Sequence, residues 1–145
     1  MNDESPTVHA SAVLAGARAV LIRGPAGSGK SQLALALIAA AQTGRLRFAR
    51  LVGDDRVHLE AAHQRLLVRP AATLAGLIEV RGLGIRRLDY EPVAVIGLIV
   101  DLAAPDAERL PQQDDAALLG ITLPRLAFAS SMDPVPCVLL ALSGH

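Results

Sequence analysis

"GPAGSGKS", Gly24 to Ser31, is the stretch on which the fold turns. A glycine, four residues, then Gly-Lys-Ser is the pattern of a phosphate-binding loop, and both flanks fit it. The apolar "AVLI" before it reads as a strand, and "SQLALALIAAAQTG" after it as a helix. Glycines let successive backbone N–H groups converge on phosphate oxygens, and the helix N-terminus adds positive potential. In that arrangement Lys30 reaches the β- and γ-phosphates and the Ser31 hydroxyl ligates Mg²⁺. Gly24, Pro25, Ala26, Gly27, Ser28, Gly29, Lys30 and Ser31 are the expected nucleotide-binding residues; the alternative is a glycine-rich turn with no ligand. Lys30 is the only lysine among 14 basic residues, so a chain that otherwise uses arginine places a compact ammonium where a phosphate must be approached.

Upstream, "HASAVLAGARAVLIRG" holds two apolar runs split around Gly16 and Ala17, which predicts a β-hairpin with His9 opposite Gly24. Downstream, Leu33, Ala34, Leu37, Ile38 and Ala41 recur at helical spacing, and Gly44 is the expected stop. "FARLV" reads as a buried strand running into "GDD", and "RVHLE" with "RLLVR" as a second hairpin around Ala62 and His63. "PVAVIGLIVDLA" is a β-branched run, the signature of a strand covered on both faces. "APDAERLPQQDDAA" reads as a surface loop or short helix. "DPVPCVLLALSGH" predicts a C-terminal helix capped by Asp133, with Pro134 in the first turn and Val138, Leu139 and Leu142 as its apolar face. Residues 1–8 are expected to form a disordered leader and 9–145 a single domain.

Composition narrows the function classes. Aromatics are 2% of a chain that is 52% hydrophobic, which argues against a surface that stacks nucleobases, and a net charge of zero supplies no field for nucleic acid. Cys137 stands alone, excluding an intrachain disulfide and a multi-cysteine metal site and fitting a reducing, cytoplasmic compartment. No apolar run approaches the roughly 18 residues of a membrane span, and "MNDESPTVH" does not read as a secretory signal.

A phosphate-binding loop leaves the phosphoryl acceptor open. Two acidic sites compete for the remaining chemistry: Asp54 and Asp55 after "FARLVG", and Asp101 after "VAVIGLIV". The apolar pattern favours Asp101, whose strand is longer. The chemistry favours "GDD", because of two adjacent carboxylates one can take a substrate proton while the other points back into the structure; the alternative is a solvated turn. A lone histidine is usually a packing or surface residue, so His9 rests on its hairpin register, and His58, His63 and His145 have no such placement. "EVRGLGIRRL", Glu79 to Leu88, has two glycines but lacks the third glycine and the helix of a dinucleotide-binding motif.

Taken in order, "HASAVLAG", "GPAGSGKS", "VGDD", "EVRGLGIRR" and "ERL" resemble the C-terminal catalytic domain of the bacterial HPr kinase/phosphorylase family, from about His9 onward. The resemblance implies an α/β P-loop domain with a mixed β-sheet flanked by helices, similar in design to the nucleotide-binding part of phosphoenolpyruvate carboxykinase. It implies transfer of phosphate from ATP, in some members pyrophosphate, to a serine of the phosphocarrier protein HPr, with phosphorolysis as the reverse reaction. It assigns Asp54 as the group that takes the serine proton, Glu79 as the acid that holds Mg²⁺ with Ser31, and His9 and Arg109 as further catalytic positions. With Lys30, Arg81 and Arg109 supply positive charge to the moving phosphoryl group, Gly82 and Gly84 become hinges letting backbone pass close to it, and Asp101 becomes structural. A cytoplasmic homo-oligomer, in the family a hexamer, that binds neither nucleic acid nor membrane is also implied.

The sequence departs from the family's longer members in lacking their N-terminal domain, so a shortened catalytic-domain form is expected. In place of their arginine- and glycine-rich loop stands "ITLPRLAFASSMDPVP", where Pro124 and Arg125 are the only remnant, which leaves phosphorolysis open. Two other readings compete: a small-molecule P-loop kinase, for which no arginine-rich lid is evident, and a nucleotide-dependent regulatory module that transfers no phosphate.

Overall fold

A computed structural model describes residues 6–107 and 112–143. In chain order its elements are β1 (Ala10–Ala15), β2 (Arg18–Arg23), α1 (Lys30–Gln42), β3 (Ala49–Gly53), β4 (Val57–Ala62), β5 (Arg65–Pro70) and a 3₁₀ turn (Ala72–Leu74). There follow β6 (Leu77–Val80), β7 (Gly84–Arg87), β8 (Ala94–Asp101), β9 (Gln112–Leu118), β10 (Ile121–Ala127) and α2 (Val135–Ser143).

The first hairpin forms in the expected register. Gly16 and Ala17 make the turn, Ala10 pairs with Arg23 and Ala15 with Arg18, and one further residue brings His9 level with Gly24. The main sheet runs β3-β1-β2-β8-β10-β9, with the β4–β5 hairpin joined to the start of β8. β2, β8 and β10 are parallel neighbours while β1, β3 and β9 run antiparallel to theirs, so the sheet is mixed, as expected.

Two cores lie on the faces of this sheet. Both helices pack on one, where Leu33, Leu37, Val138 and Leu139 meet Val13, Val20, Ile22, Val100 and Phe128. On the other, Val57, Leu66 and Val68 of the second hairpin cover Ala12, Ala19, Leu21 and Ile96. Side chains of β8 reach both, as its apolar run predicted. The pairing with β2 skips Gly97, which moves the β8 residues after it to the opposite face from the run before it, and a methyl there would stand 2.7 Å from Arg18 Cβ. The C-terminal helix is capped as read, Val135 N–H donating to Asp133 Oδ1 at 3.1 Å.

Four expectations change. The leader does not extend to residue 8, because Val8 exchanges two backbone hydrogen bonds with Val57 and is tied to the domain. The second hairpin turns at His63 and Gln64, both left-handed, rather than at Ala62 and His63. Gln112–Leu118, read as loop or short helix, is a strand: it lacks β-branched residues, but pairing with β10 sets Asp114 opposite Arg125, a cross-strand contact the local pattern could not show. Pro124 and Arg125, read as the remnant of a loop, lie inside β10. Proline is tolerated there because the pairing with β8 begins only at Arg125.

Candidate active site

β2 delivers the chain into the phosphate-binding loop and α1 takes it away, with Gly29 in a left-handed conformation at the helix start. The loop is held from beneath. Arg23, its last strand residue, donates through Nε and Nη2 to both oxygens of Asp101 at 2.7 Å each, and Arg125 reaches the same carboxylate. Arg125 also binds Asp106 and Asp114. Burial pushes the Asp101 carboxyl upward, but the hydrogen bonds from Arg23 and Arg125, with their Coulombic attraction, outweigh it and hold the group below the usual carboxylate range. Asp101 is thus structural, the role the family resemblance gave it. Gly24 is required by close approach: a Cβ there would run into Ser28 Oγ and come within 3.0 Å of the Leu102 carbonyl.

Lys30 is buried and its Nζ donates to the carbonyls of Gly24 at 2.8 Å and Pro25 at 3.1 Å. An ammonium has three N–H groups, so one remains for a phosphate oxygen. The Ser28 hydroxyl is buried with no hydrogen-bond partner among the described residues, a second unfilled donor in the loop. The residues present therefore fit an anion.

An open cavity of about 470 Å³ lies over the loop, lined on one side by Gly27, Lys30 and Ser31 and on the other by His9, Asp55, Glu79 and Arg81. It brings together most of the expected site: the loop, His9, Glu79 and Arg81. Arg109 lies outside the described residues.

Asp54 and Asp55 point different ways, as the chemistry of "GDD" asked of such a pair, and it is Asp55 that faces the cavity. Asp54, expected to take the acceptor proton, is only 5% exposed and does not line the cavity. Its carboxylate accepts the Ser11 hydroxyl at 2.6 Å, the Ser31 hydroxyl at 2.8 and 2.9 Å, and the Glu79 N–H at 3.3 Å. Asp55 faces the cavity with its side chain 60% exposed and accepts a hydrogen bond from His9 Nε2 at 2.8 Å. Its backbone is left-handed, φ 72°, a conformation aspartate adopts at a cost of roughly 1 kcal/mol. That twist turns two neighbouring carboxylates in different directions.

Ser31 fits a metal-ligating role, because a hydroxyl that gives its proton to Asp54 keeps its lone pairs for a cation. Glu79, on the cavity wall, makes no ion pair among the described residues. Mg²⁺ needs no more from protein than one or two such oxygens, the rest coming from water and phosphate. A Cβ at Gly82 or Gly84 would meet no protein atom, and both glycines line the cavity; with positive φ values of 88° and 86°, Gly82 lies in the turn of the β6–β7 hairpin and Gly84 opens β7 opposite Val80. That hairpin stands apart from the main sheet and exposes Leu83 and Ile85.

The sequence reading missed Asp55 as the cavity-facing acid and gave Ser11 no role. The signal for Ser11 was there: one hydroxyl inside the apolar run "ASAVLA".

A family model described as the HPr Serine kinase C-terminal domain matches residues 3–126. The HPr kinase/phosphorylase of Neisseria meningitidis is 35% identical over 103 residues, which span 66% of this chain and 30% of that protein. That of Geobacillus thermodenitrificans is 34% identical over 120 residues, 74% of this chain and 37% of that protein. The chain thus spans about a third of the length of these curated relatives. The solved structure of the Hpr(Ser) kinase/phosphatase from Coxiella burnetii superposes with a TM-score of 0.76 at 27% identity, covering 95% of this chain and 93% of that one. The chain belongs to the HPr serine kinase family and aligns with its C-terminal domain.

Proposed function

We propose that this chain is an ATP- and Mg²⁺-dependent protein-serine kinase whose acceptor is an HPr-like phosphocarrier. The observation that carries this reading is the single cavity in which the Lys30–Ser31 end of the phosphate-binding loop faces the His9–Asp55 pair. A nucleotide's phosphates on one wall would then meet a hydroxyl acceptor on the other, beside a carboxylate able to receive its proton.

In the proposed reaction the acceptor serine oxygen bonds to the γ-phosphorus as the bond to the β-phosphate oxygen breaks, and ADP leaves. Asp55 takes the serine proton; His9, donating to its Oδ1, fixes the carboxylate's orientation. Lys30 and Arg81 place positive charge on the transferring group, which is most of what a protein contributes to such a step. Mg²⁺, bound through Ser31 and Glu79, would supply further charge neutralisation between the phosphates. Asp54 holds Ser31 instead of touching substrate. In the reverse direction an oxygen of inorganic phosphate would bond to the phosphorus of the seryl phosphate as its bond to the serine oxygen breaks, pyrophosphate would leave, and Asp55 would return the proton to the serine oxygen. The hairpin beside the cavity, with exposed Leu83, Ile85, Arg86 and Arg87, is the surface we assign to the protein acceptor.

The test is incubation with candidate phosphocarriers, ATP and Mg²⁺, followed by intact mass. A gain of one phosphate, absent with Lys30→Ala and removed on adding inorganic phosphate, is expected for kinase and phosphorylase together. Gain without removal leaves the kinase alone. Turnover of ATP by small metabolites with no labelled protein refutes the proposal.

A further inference from the structure

We propose that Ser11 is a positioning residue that fixes which of the two adjacent carboxylates serves the phosphate-binding loop and which faces the acceptor. It rests on the functional reading above and adds to it a residue on a different strand.

Ser11 is fully buried between Ala10 and Ala12, themselves fully buried, at the N-terminal end of β1. Nothing in the packing of a strand between two cores calls for a hydroxyl there, and a buried hydroxyl costs stability unless it is bonded. Its direction of bonding is unambiguous. The Asp55 backbone N–H, at 3.4 Å, can only donate, so Ser11 Oγ accepts from it; the single hydroxyl proton is then left for Asp54 Oδ1, at 2.6 Å. The same strand end also binds the Asp55 carbonyl, through the Ala10 N–H at 3.1 Å. β1 therefore grips the Asp54–Asp55 turn at three points.

That grip accounts for both side chains. Held on one oxygen by Ser11, Asp54 stays in the orientation in which Ser31 donates to it, so that the Ser31 lone pairs remain turned to the cavity. Held at its own N–H and carbonyl, Asp55 keeps the left-handed backbone that sends its carboxylate the other way, onto His9. Without the hydroxyl, Asp54 loses a charge-assisted bond and the Asp55 N–H its buried acceptor, and nothing else on β1 replaces either.

The experiment compares Ser11→Ala, Ser11→Thr and Ser11→Val, the last two nearly isosteric and differing in the hydroxyl. The first readout needs no acceptor: the affinity for ADP with and without Mg²⁺. We expect Ser11→Ala and Ser11→Val to bind ADP alone as the parent does but to lose most of the gain conferred by Mg²⁺, roughly 10-fold or more for one charge-assisted hydrogen bond, while Ser11→Thr retains it. The second readout is transfer to a phosphocarrier, where kcat should fall by a similar factor with KM for ATP little changed. A full Mg²⁺ gain in Ser11→Ala overturns the inference, as does a parent protein with no Mg²⁺ gain at all. A parent that shows the gain yet labels no protein refutes the kinase reading, while the binding series still decides the role of Ser11. Should Ser11→Thr misfold, the parent and Ser11→Ala carry the comparison alone.

Discussion

Replacing each acid of "GDD" by its amide separates their roles. Asp55→Asn removes a proton acceptor but keeps an oxygen toward His9, and the side chain is largely exposed, so folding stability should change by no more than about 0.5 kcal/mol. General-base catalysis is worth roughly 10²- to 10⁴-fold, about 3–5 kcal/mol of barrier, and that whole amount should appear in kcat. Asp54→Asn is the opposite case. Three donors converge on a carboxylate that is 5% exposed, and an amide must place an NH₂ among them. One charge-assisted hydrogen bond to a buried group is worth about 1.5–3 kcal/mol, so a stability loss of about 2–3 kcal/mol is expected. At about 2–4 °C per kcal/mol for a chain near this size, that is a fall of roughly 4–12 °C in Tm. The assay is single-turnover labelling of the phosphocarrier by intact mass, with thermal unfolding of the same samples. If Asp55→Asn keeps kcat within about threefold of the parent while Asp54→Asn abolishes it at unchanged Tm, the division of labour argued from the geometry is wrong.

Gly24→Ala should displace the loop against the Leu102 carbonyl, whose own N–H is anchored to Arg23 at 2.8 Å, and so weaken nucleotide binding. Overpacking of about 1–3 kcal/mol corresponds to roughly 5- to 150-fold in Kd, and an unchanged Kd by titration calorimetry would refute the close-approach argument. Asp101→Asn should destabilise the fold by about 2–3 kcal/mol at neutral pH, less than a fully buried pair because Arg23 is a third exposed and Arg125 keeps Asp106 and Asp114. Since Asp101 is depressed in the folded state, its contribution is present above the unfolded pKa near 3.8 and is lost as pH falls through the lower folded value. Denaturant titrations should therefore show the parent and Asp101→Asn converging in strong acid; a gap that stays constant from pH 7 to pH 2 would count against it.

Much of this architecture was legible because local signals agreed with the tertiary outcome. The turn at Gly16 and Ala17 set the register of the first hairpin, and that register alone placed His9 beside the loop. The cap at Asp133 and the apolar spacing of α1 worked the same way. What failed depended on partners outside the segment being read. "QQDDAAL" becomes a strand through its pairing with β10, 3–15 residues later, where Asp114 meets Arg125. The choice between Asp54 and Asp55 is of the same kind: residue type cannot distinguish two aspartates, whereas a serine 43 residues away and one left-handed backbone angle do. The chemical reasoning found the pair and its division; family resemblance assigned the acceptor proton to Asp54, whereas the proposal above gives it to Asp55, the one that lines the cavity.

The charges around the cavity give the Ser11–Asp54 contact its significance for the proposed reaction. Asp55 and Glu79 on the cavity wall, with Asp54 behind Ser31, set three carboxylates around the proposed polyphosphate site, against the two cations Lys30 and Arg81. A nucleotide entering alone would meet more negative than positive side-chain charge there, at separations well inside a Debye length. A divalent cation reverses that balance, provided an oxygen waits for it with its lone pairs free. Ser31 is such an oxygen only while Asp54 takes its proton, and Asp54 is held ready to do so by Ser11. Dependence on Mg²⁺ is in this view a property of the strand before the loop as much as of the loop itself. Two chains with the same Gly-x₄-Gly-Lys-Ser sequence could then differ in metal requirement through a single buried hydroxyl.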